Sequence, residues 1–430
     1  MRQEAPEWGR WDARHVWHPY TPVRLAPPPV PVVRAAGAYL YTADGRAILD
    51  AISSWWVTLH GHAHPAIAAA VARQAAELEQ VIFAGFTHRP AAELARRLVG
   101  LLPEGLTRVF YSDDGSTAVE VALKLALQFW ANRGEPRRRL VTLEHAYHGD
   151  TVGAMSVGAR SVFTEPFRPL LFDVEVIPSP AEDAAGALAA LEALLARRGR
   201  EIAALIVEPL VQAAGGMRIY APETLRAIRQ LTAAYDVLLI ADEVMTGFGR
   251  TGAMFACGLA GVRPDLLCVA KGLTGGFLPL AATACTERIY EAFATDDVAT
   301  TFFHGHSYAG SPLGCAAALA SLALFERERT FERIGRIAEV HRARLAALAG
   351  RPGVRETRQC GTVAVVEVAT DAPGYTNAIG RRIAARALER GVLLRPLGQV
   401  VYVLPPYCIT DEELHRVYDV IEDCLADLGR

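Results

Sequence analysis

The chain has 430 residues, of which 51% are hydrophobic and 21% are charged. This composition suffices for a large buried core and excludes the charge-rich, apolar-poor class of disordered chains. The formal net charge of −3 provides no basic field, so we expect neither nucleic acid nor a membrane as a partner. The length favours one large domain with a smaller companion.

The N-terminal stretch, residues 1–20, combines three tryptophans with charged residues and proline. It lacks the apolar run of a secretory signal, and the longest apolar runs elsewhere are too short to span a bilayer. Seven scattered cysteines without a Cys-x-x-Cys pair are typical of reduced thiols. We therefore expect a cytoplasmic protein without disulfides or zinc.

Residues 1–60 are predicted to form an N-terminal segment that joins a small domain, because strand-like pieces around Tyr39 and Ile48 follow a proline-rich stretch. The large domain is predicted over residues 61–321, where short β-rich runs alternate with segments of helical periodicity. This alternation predicts an α/β fold whose mostly parallel seven-stranded sheet is covered by helices on both faces. The predicted strands are 108–112, 140–143, 174–177, 204–207, 237–241, 266–269 and 280–284.

Helical periodicity is clear at residues 116–131, where apolar residues form one stripe and Lys124 lies outside it. A single long helical stretch is predicted from Pro312 to Leu348, with its charges on a solvated face. The smaller α+β domain is predicted over residues 322–430, with strands at 363–368 and 400–404. Its last helix opens with a capping box formed by Thr410 and Glu413.

Lysine is almost absent from this chain. Only two of the 44 basic residues are lysines, Lys124 and Lys271, so the other 42 are arginines. Because arginine stays protonated and cannot form an imine, a retained lysine indicates a need for an amine nucleophile. Lys124, on the flank of a helix, is better explained by a solvated head group.

Lys271 and Asp242 follow two neighbouring predicted strands, 266–269 and 237–241. Ligands of open α/β sheets bind at the carboxyl ends of the strands, so both side chains are expected in one crevice. The pairing favours pyridoxal phosphate chemistry, in which Lys271 forms a Schiff base and Asp242 holds a proton on the pyridine nitrogen. The alternative is a lysine in a surface salt bridge.

The turn Asp113–Thr117 precedes the helix at 116–131 and offers free backbone N–H groups to a phosphate. Gly115 and Ser116 are the predicted contacts, although Gly-Ser before a helix is also an ordinary cap. Residues 247–252 match Gly-x-Gly-x-x-Gly, but no acidic residue follows at the distance that a nicotinamide dinucleotide requires. The histidines at 60–64 and 304–306 lack accompanying acids or thiols, so we expect local hydrogen bonds and no metal.

Aromatic residues and one arginine are candidates for a substrate pocket. Trp55 and Trp56 are adjacent, so at most one of them faces the core of an extended segment. Tyr147 is placed to stack on a planar cofactor, although a core position explains it equally well. Arg395 ends an apolar run and is either a carboxylate anchor or part of a structural ion pair.

These motifs together carry a family resemblance. The segment 239–252, LIADEVMTGFGRTG, followed by Lys271 29 positions after Asp242, resembles the class III aminotransferases, which are fold-type I pyridoxal phosphate enzymes. The resemblance extends over residues 12–410. Five further pieces are similar to the branch of that class that acts in biotin synthesis: His18–Thr21, Ser53–Trp56, Tyr147–Asp150, Glu208–Met217 and Arg395–Pro396.

The resemblance implies a role for each cofactor residue. Lys271 would be the Schiff-base lysine and proton shuttle, Asp242 would bind the pyridine nitrogen, and Tyr147 would lie over the ring. Family members are homodimers with shared active sites, and Ser307 is similar in place to a residue that reaches the phosphate from the other subunit. The implied cofactor-binding residues are Gly115, Ser116, Tyr147, Asp242, Lys271, His306 and Ser307.

The resemblance also implies a substrate pocket and a reaction. Tyr20, Trp55, Trp56 and Gly305 would line the pocket, and Arg395 would bind a carboxylate. The implied reaction is a ping-pong transfer of the amino group of S-adenosylmethionine to 8-amino-7-oxononanoate, giving 7,8-diaminononanoate. The alternatives are a donor such as lysine, ornithine or 4-aminobutyrate, and a non-catalytic protein with this fold.

Overall fold

The structure is a computed structural model that describes residues 6–428. Residues 1–5 of the predicted N-terminal segment and residues 429 and 430 of the predicted small domain lie outside the described residues. The first elements are α1 (Glu7–His15), β1 (Val32–Ala36), β2 (Tyr39–Thr42), β3 (Ala47–Asp50) and the short, kinked α2 (Ser53–Trp56).

The middle of the chain alternates strands with helices, as the periodicity predicts. Its helices are α3 (Pro65–Glu77), α4 (Arg89–Val99), α5 (Gly115–Asn132), α6 (Val152–Ser156), α7 (Ala184–Arg198), α8 (Pro222–Ala234), α9 (Ala256–Ala260), α10 (Glu287–Glu291) and α11 (Pro312–Arg327). Its strands are β4 (Leu106–Ser112), β5 (Arg139–Leu143), β6 (Glu175–Ile177), β7 (Ile202–Val207), β8 (Val211–Gln212), β9 (Arg218–Ile219), β10 (Leu238–Asp242), β11 (Leu266–Val269) and β12 (Ala281–Thr286).

Seven of these strands form one sheet in the order β4-β12-β11-β10-β7-β5-β6. Each corresponds to one of the seven predicted strands. The neighbours from β11 to β6 pair in parallel, whereas β12 is antiparallel to both β11 and β4. The prediction of a mostly parallel, seven-stranded sheet is therefore confirmed.

The sheet is buried on both faces, which explains its nearly continuous apolar strands. Alternate residues of β10 enter different core clusters: Leu238 and Ile240 pack in the cluster with α5, and Leu239 and Ala241 pack in the larger one. The apolar stripe predicted at 116–131 is buried, while Lys124 is exposed. The parallel strands consequently end together at one edge, between two layers of helices.

The C-terminal part consists of α12 (Thr330–Leu348), β13 (Val354–Cys360), β14 (Val363–Val368), α13 (Ala378–Glu389), β15 (Val392–Leu393), β16 (Val400–Val403) and α14 (Asp411–Leu428). Strands β13, β14 and β16 form an antiparallel sheet, and β15 pairs in parallel with β3 to complete the sheet β1-β2-β3-β15. The N-terminal strands thus pair with the C-terminal part, which supports the predicted joining, while the boundaries at residues 60 and 321 stay predictions.

The predicted single helical stretch from 312 to 348 is wrong, because the chain bends between α11 and α12. Arg329 adopts a left-handed conformation with φ of 50°. The bend turns Ile334 and Ile337 of α12 into the core. The predicted capping box of α14 is confirmed: the Thr410 N–H donates to Glu413 Oε2 over 2.9 Å, and the Glu413 N–H donates to Thr410 Oγ1 over 3.2 Å.

Within residues 6–428, every helix is too short or too polar to cross a bilayer.

Candidate active site

Three polar side chains meet at the carboxyl edge of the sheet. Asp242 ends β10, Glu208 directly follows β7, and Lys271 follows β11 by two residues. Because these strands are parallel neighbours, all three side chains line one cavity of about 710 Å³. The structure therefore brings Asp242 and Lys271 together, as their positions after strands predict.

Lys271 begins a tight 3-10 turn, Lys271–Thr274, with φ of 42°. The turn ends against the backbone of Thr58, and a Cβ at Gly276 would lie 3.0 Å from it. Burial lowers the pKa of Lys271 below its ordinary value of 10.5, against the opposing charges of Asp242 and Glu208. A lowered pKa increases the fraction of neutral amine, which is the nucleophilic form.

Asp242 is held by a histidine whose role is not evident from the sequence. The Nδ1–H of buried His148 donates to Asp242 Oδ2 over 2.6 Å, and the Val244 N–H donates to Asp242 Oδ1 over 3.1 Å. Burial acts to lower the pKa of His148, but the hydrogen bond and charge of Asp242 outweigh it and raise that pKa. The two hydrogen bonds therefore hold the Asp242 carboxylate in a fixed orientation.

Glu208 was also missed as a site residue, although its position after a central strand is the signal that identified Asp242. Its two carboxylate oxygens accept the N–H groups of Tyr147, over 3.1 Å, and of Ala213, over 2.9 Å. Burial raises the pKa of Glu208 to about 7. Glu208 thereby fixes the backbone beside His148 and the cavity wall at Ala213.

The predicted phosphate turn lines the same cavity. Asp114, not Ser116, caps α5: its Oδ1 accepts the Thr117 N–H over 2.9 Å. Gly115 and Ser116 therefore form the first turn of α5, where free N–H groups favour an anion. A Cβ at Gly115 would lie 2.5 Å from Val244 Cγ1, so only glycine fits beside the segment after Asp242.

A second cavity of about 890 Å³ adjoins the first, and five residues line both: Trp56, Tyr147, Gly149, Asp150 and Lys271. It contains four of the five residues predicted to bind substrate. These are Tyr20, Trp55, Trp56 and Arg395.

Tyr20, Trp55 and Arg395 form a continuous wall of this second cavity. The Tyr20 and Trp55 rings meet edge to face with centroids 5.5 Å apart, and the Arg395 guanidinium carbon lies 4.4 Å from the Trp55 ring centroid. The Tyr20 hydroxyl donates to Asp150 Oδ2 over 2.5 Å. Burial, with the Asp150 carboxylate, raises the pKa of Tyr20 to about 12, so the phenol stays protonated. Within residues 6–428 Arg395 forms no ion pair, which leaves its guanidinium free for a carboxylate.

The model of the class-III aminotransferase family matches residues 20–425 of the chain. The chain belongs to the class-III aminotransferases. It is 53% identical to adenosylmethionine-8-amino-7-oxononanoate aminotransferase of Synechococcus elongatus, over 96% of this chain and 99% of that protein.

Solved structures of similar proteins agree with this membership. The adenosylmethionine-8-amino-7-oxononanoate aminotransferase of Methanocaldococcus jannaschii, known from a crystal structure, is 36% identical, with a TM-score of 0.92 over 97% of this chain and 98% of that chain. The omega transaminase of Pseudomonas jessenii, solved in complex with PMP, is 28% identical, with a TM-score of 0.93 over 98% of each chain. The family resemblance of the motifs and the fold-type I architecture are both confirmed.

Class-III aminotransferases depend on pyridoxal phosphate, and the first cavity of this aminotransferase fits that cofactor. Lys271 offers an amine for the aldehyde, Asp242 a carboxylate for the ring nitrogen, and the first turn of α5 free N–H groups for the phosphate. Tyr147 lines the same cavity, where stacking over the ring stays a prediction.

The tryptophan pair of this aminotransferase stands on a strained turn. Ser53, Ser54 and Trp56 have φ values of 53°, 60° and 67°, in the left-handed region that non-glycine residues avoid. The buried Asp50 carboxylate holds the turn by accepting the N–H groups of Ile52, over 3.0 Å, and Ser54, over 2.6 Å. The strain places Trp56 in the core and Trp55 on the pocket wall.

Three residues that the resemblance assigns to the site lie outside both cavities in this chain. Gly305 and Ser307 are exposed in the loop before α11, and the Ser307 carbonyl accepts Gln80 Nε2 over 2.6 Å. His306 Nε2 lies 3.6 Å from Asp113 Oδ1 in the phosphate turn. Their roles toward a partner subunit stay predictions.

The remaining motifs of the aminotransferase have local explanations. Gly249 packs closely, since a Cβ there would lie 2.5 Å from Ile334, and none of the glycines at 247, 249 and 252 lines either cavity. His62 bonds Asp50 and His64 bonds Glu328, each over 2.9 Å. The prediction that these histidines lack accompanying acids and bond only locally is wrong, because the fold brings the two carboxylates to them from 12 and 264 positions away.

One cluster of possible metal ligands occurs within residues 6–428. It consists of Glu144, His145 and Glu182 at the rim of the second cavity, and Arg218 already pairs with Glu182.

Proposed function

We propose that this aminotransferase transfers the amino group of S-adenosylmethionine to 8-amino-7-oxononanoate, giving 7,8-diaminononanoate in biotin biosynthesis. The observation that carries the proposal is the second cavity, in which an aromatic wall leads to Lys271 together with Arg395, an arginine without an ion pair in the described part of the chain. Its volume of about 890 Å³ suits a donor as large as an adenosyl compound. The relative at 53% identity bears the name of this activity.

Each residue of the site has a defined task in this reaction. Pyridoxal phosphate supplies the electron sink when it is bound. Asp242, oriented by His148, stabilises a proton at the ring nitrogen. The Lys271 Nζ, whose pKa burial lowers, accepts the proton from the substrate α-carbon in its neutral form and returns it at the other end of the transfer.

The second cavity orients the substrates. Arg395 binds the carboxylate of the keto acid in a bidentate manner, and its contact with Trp55 fixes the guanidinium plane. Tyr20 and Trp55 provide the surface for the adenosyl group of the donor and exclude water from Lys271.

The proposal includes a cytoplasmic homodimer with shared active sites. Its support is the loop that carries the exposed Ser307, in which His306 lies 3.6 Å from Asp113 of the phosphate turn and the apolar residues Phe303 and Tyr308 are exposed. Sedimentation at micromolar concentration is expected to give the mass of two chains.

The decisive experiment incubates the purified chain with pyridoxal phosphate, 8-amino-7-oxononanoate and one amino donor at a time. Mass spectrometry is expected to detect 7,8-diaminononanoate with S-adenosylmethionine and not with lysine, ornithine or 4-aminobutyrate. Lys271→Ala is expected to form no product, and Arg381→Met, at an exposed residue outside both cavities, is expected to retain the product and the donor preference. Product with lysine but not S-adenosylmethionine would contradict the donor assignment.

The likeness to the omega transaminase of Pseudomonas jessenii supports a second candidate, amino transfer from a simple ω-amine. A small amine has no use for the wall of Tyr20 and Trp55. Replacing Trp55 by alanine would then leave kcat/KM for that amine unchanged, whereas the proposed donor is expected to lose at least tenfold, equivalent to about 1.4 kcal/mol.

A further inference from the structure

Lys124 is the second of the two lysines in a chain with 42 arginines, and the reaction described above does not use it. It lies on α5, the helix whose first turn forms the phosphate site. Its Nζ donates to His304 Nδ1 over 3.0 Å and lies 5.8 Å from the ring centroid of Phe302. Lys124 is exposed, but its ammonium makes a specific hydrogen bond to His304.

His304 belongs to the loop that carries Gly305, His306 and Ser307. On the N-terminal side of His304, the Phe302 ring packs edge to face on Phe110, with centroids 5.3 Å apart. On the C-terminal side of His304, the Ser307 carbonyl accepts a hydrogen bond from Gln80 Nε2. The hydrogen bond from Lys124 holds His304, the residue directly before the segment Gly305–Ser307, in which Gly305 and Ser307 are exposed.

The ring of His304 is suited to accept this bond. Partial burial, together with the charge of Lys124, lowers the pKa of His304 below its ordinary value of 6.5. The ring is therefore neutral at neutral pH, with Nδ1 as the acceptor and the proton on Nε2. A compact ammonium donates to a single ring nitrogen, whereas the planar fork of arginine is better matched to a carboxylate.

We propose that Lys124 is a positioning residue, which through His304 sets the Gly305–Ser307 loop in the conformation that binds the cofactor phosphate. The inference rests on the proposed function, in which Ser307 reaches the phosphate of the partner subunit. The contact between His306 and Asp113 places the loop beside the phosphate turn of its own chain as well. Lys124 thus acts on cofactor binding without touching the cofactor.

The test separates the phosphate from the rest of the cofactor. The full-length protein, freed of cofactor, is titrated with pyridoxal phosphate and with pyridoxal, which lacks the phosphate, and the lysine-linked product is followed by absorbance. Lys124→Met, which retains the side-chain stem but not the donor, is expected to weaken pyridoxal phosphate about tenfold and pyridoxal less than twofold. A tenfold loss is the size expected for one hydrogen bond to a charged group.

Variants at His304 provide the matched controls. His304→Phe removes the acceptor and is expected to reproduce the effect of Lys124→Met, with no further loss in the double variant. In His304→Asn the side-chain oxygen replaces Nδ1 as the acceptor. This variant is expected to lose, on the logarithmic scale, no more than half of the pyridoxal phosphate affinity that His304→Phe loses.

Equal weakening of both compounds by Lys124→Met would show a merely structural role and overturn the proposal. Unchanged binding of both, or an additive double variant, would overturn it equally. Because the titration uses no amino donor, a wrong substrate assignment leaves this result readable. A wild-type protein that is monomeric in solution would refute the dimer of the proposed function. If Lys124→Met then still lost affinity for pyridoxal phosphate but not for pyridoxal, the Gly305–Ser307 loop would act on the phosphate site of its own chain.

Discussion

Asp50→Ala tests whether the tryptophan wall depends on a strained turn. Three non-glycine residues in left-handed conformation, Ser53, Ser54 and Trp56, together cost about 3 to 6 kcal/mol, at 1 to 2 kcal/mol each. The buried Asp50 carboxylate accepts three hydrogen bonds, from the N–H groups of Ile52 and Ser54 and from the His62 ring, which contribute about 4.5 to 9 kcal/mol, at 1.5 to 3 kcal/mol each. Because relaxation of the turn recovers a large part of this loss, removal of the carboxylate is expected to let the turn relax.

Relaxation recovers the strain but moves Trp55 and Trp56. The free energy of unfolding of Asp50→Ala is therefore expected to fall by no more than about 3 kcal/mol, less than the lost hydrogen bonds alone. The KM for the amino donor is expected to rise at least tenfold, measured by steady-state kinetics together with tryptophan fluorescence. Asp44→Ala, at an exposed aspartate in the turn between β2 and β3, is the matched control and is expected to change neither.

A second substitution, Ser54→Gly, tests the strain of the turn directly. Ser54→Gly lowers the cost of the left-handed conformation, so in the Asp50→Ala background it is expected to recover part of the KM. An Asp50→Ala protein with unchanged KM and unchanged tryptophan emission would refute the argument from strain.

Three further predictions follow from the site. Arg395→Met is expected to raise the KM for the keto acid about a hundredfold, because the bidentate contact with the carboxylate is lost. Arg381→Met, at an exposed arginine, is the control, and equal effects of both substitutions on the KM would contradict the role of Arg395 as the carboxylate anchor. Burial raises the pKa of Glu208 to about 7, so the folded protein binds this proton more tightly than the unfolded chain does. The stability of the cofactor-free wild type relative to Glu208→Gln is therefore expected to fall by about 2 to 3 kcal/mol between pH 5 and pH 8 in urea titrations, and a constant difference would refute it. Gly115→Ala is expected to weaken pyridoxal phosphate about tenfold through the clash with Val244, with recovery in Gly115→Ala/Val244→Ala and no effect of Gly335→Ala, where space is open.

Much of the architecture could be predicted from local sequence patterns. All seven strands of the large sheet were predicted, because buried parallel strands are continuous apolar runs bounded by polar residues. The antiparallel direction of β12 was not predicted, since strand direction depends on the path of the connection. The bend at Arg329 was missed because residues 326–330, Glu-Arg-Glu-Arg-Thr, contain neither the glycine nor the proline that usually marks the end of a helix.

Some residues of the candidate site could be predicted from the sequence, and others could not. Asp242 and Lys271 could be predicted because each follows a strand, and the scarcity of lysine marks Lys271. His148 and Glu208 were not assigned roles, because their importance lies in contacts across the fold, with Asp242 and with the Tyr147 N–H. Likewise, the partnership of Lys124 with His304 joins residues 180 positions apart, so Lys124 looks like a solvated residue in the sequence.

The absorbance spectrum of the holoenzyme before and after S-adenosylmethionine, with no acceptor present, tests the central claim most directly. Wild type is expected to show the band of the lysine-linked cofactor and to lose it on addition of S-adenosylmethionine, while lysine, ornithine and 4-aminobutyrate leave it in place. Lys271→Ala is expected to lack the band. A band that another of these amines removes, and S-adenosylmethionine does not, would contradict the assigned donor; a band that persists in Lys271→Ala would contradict the role of Lys271.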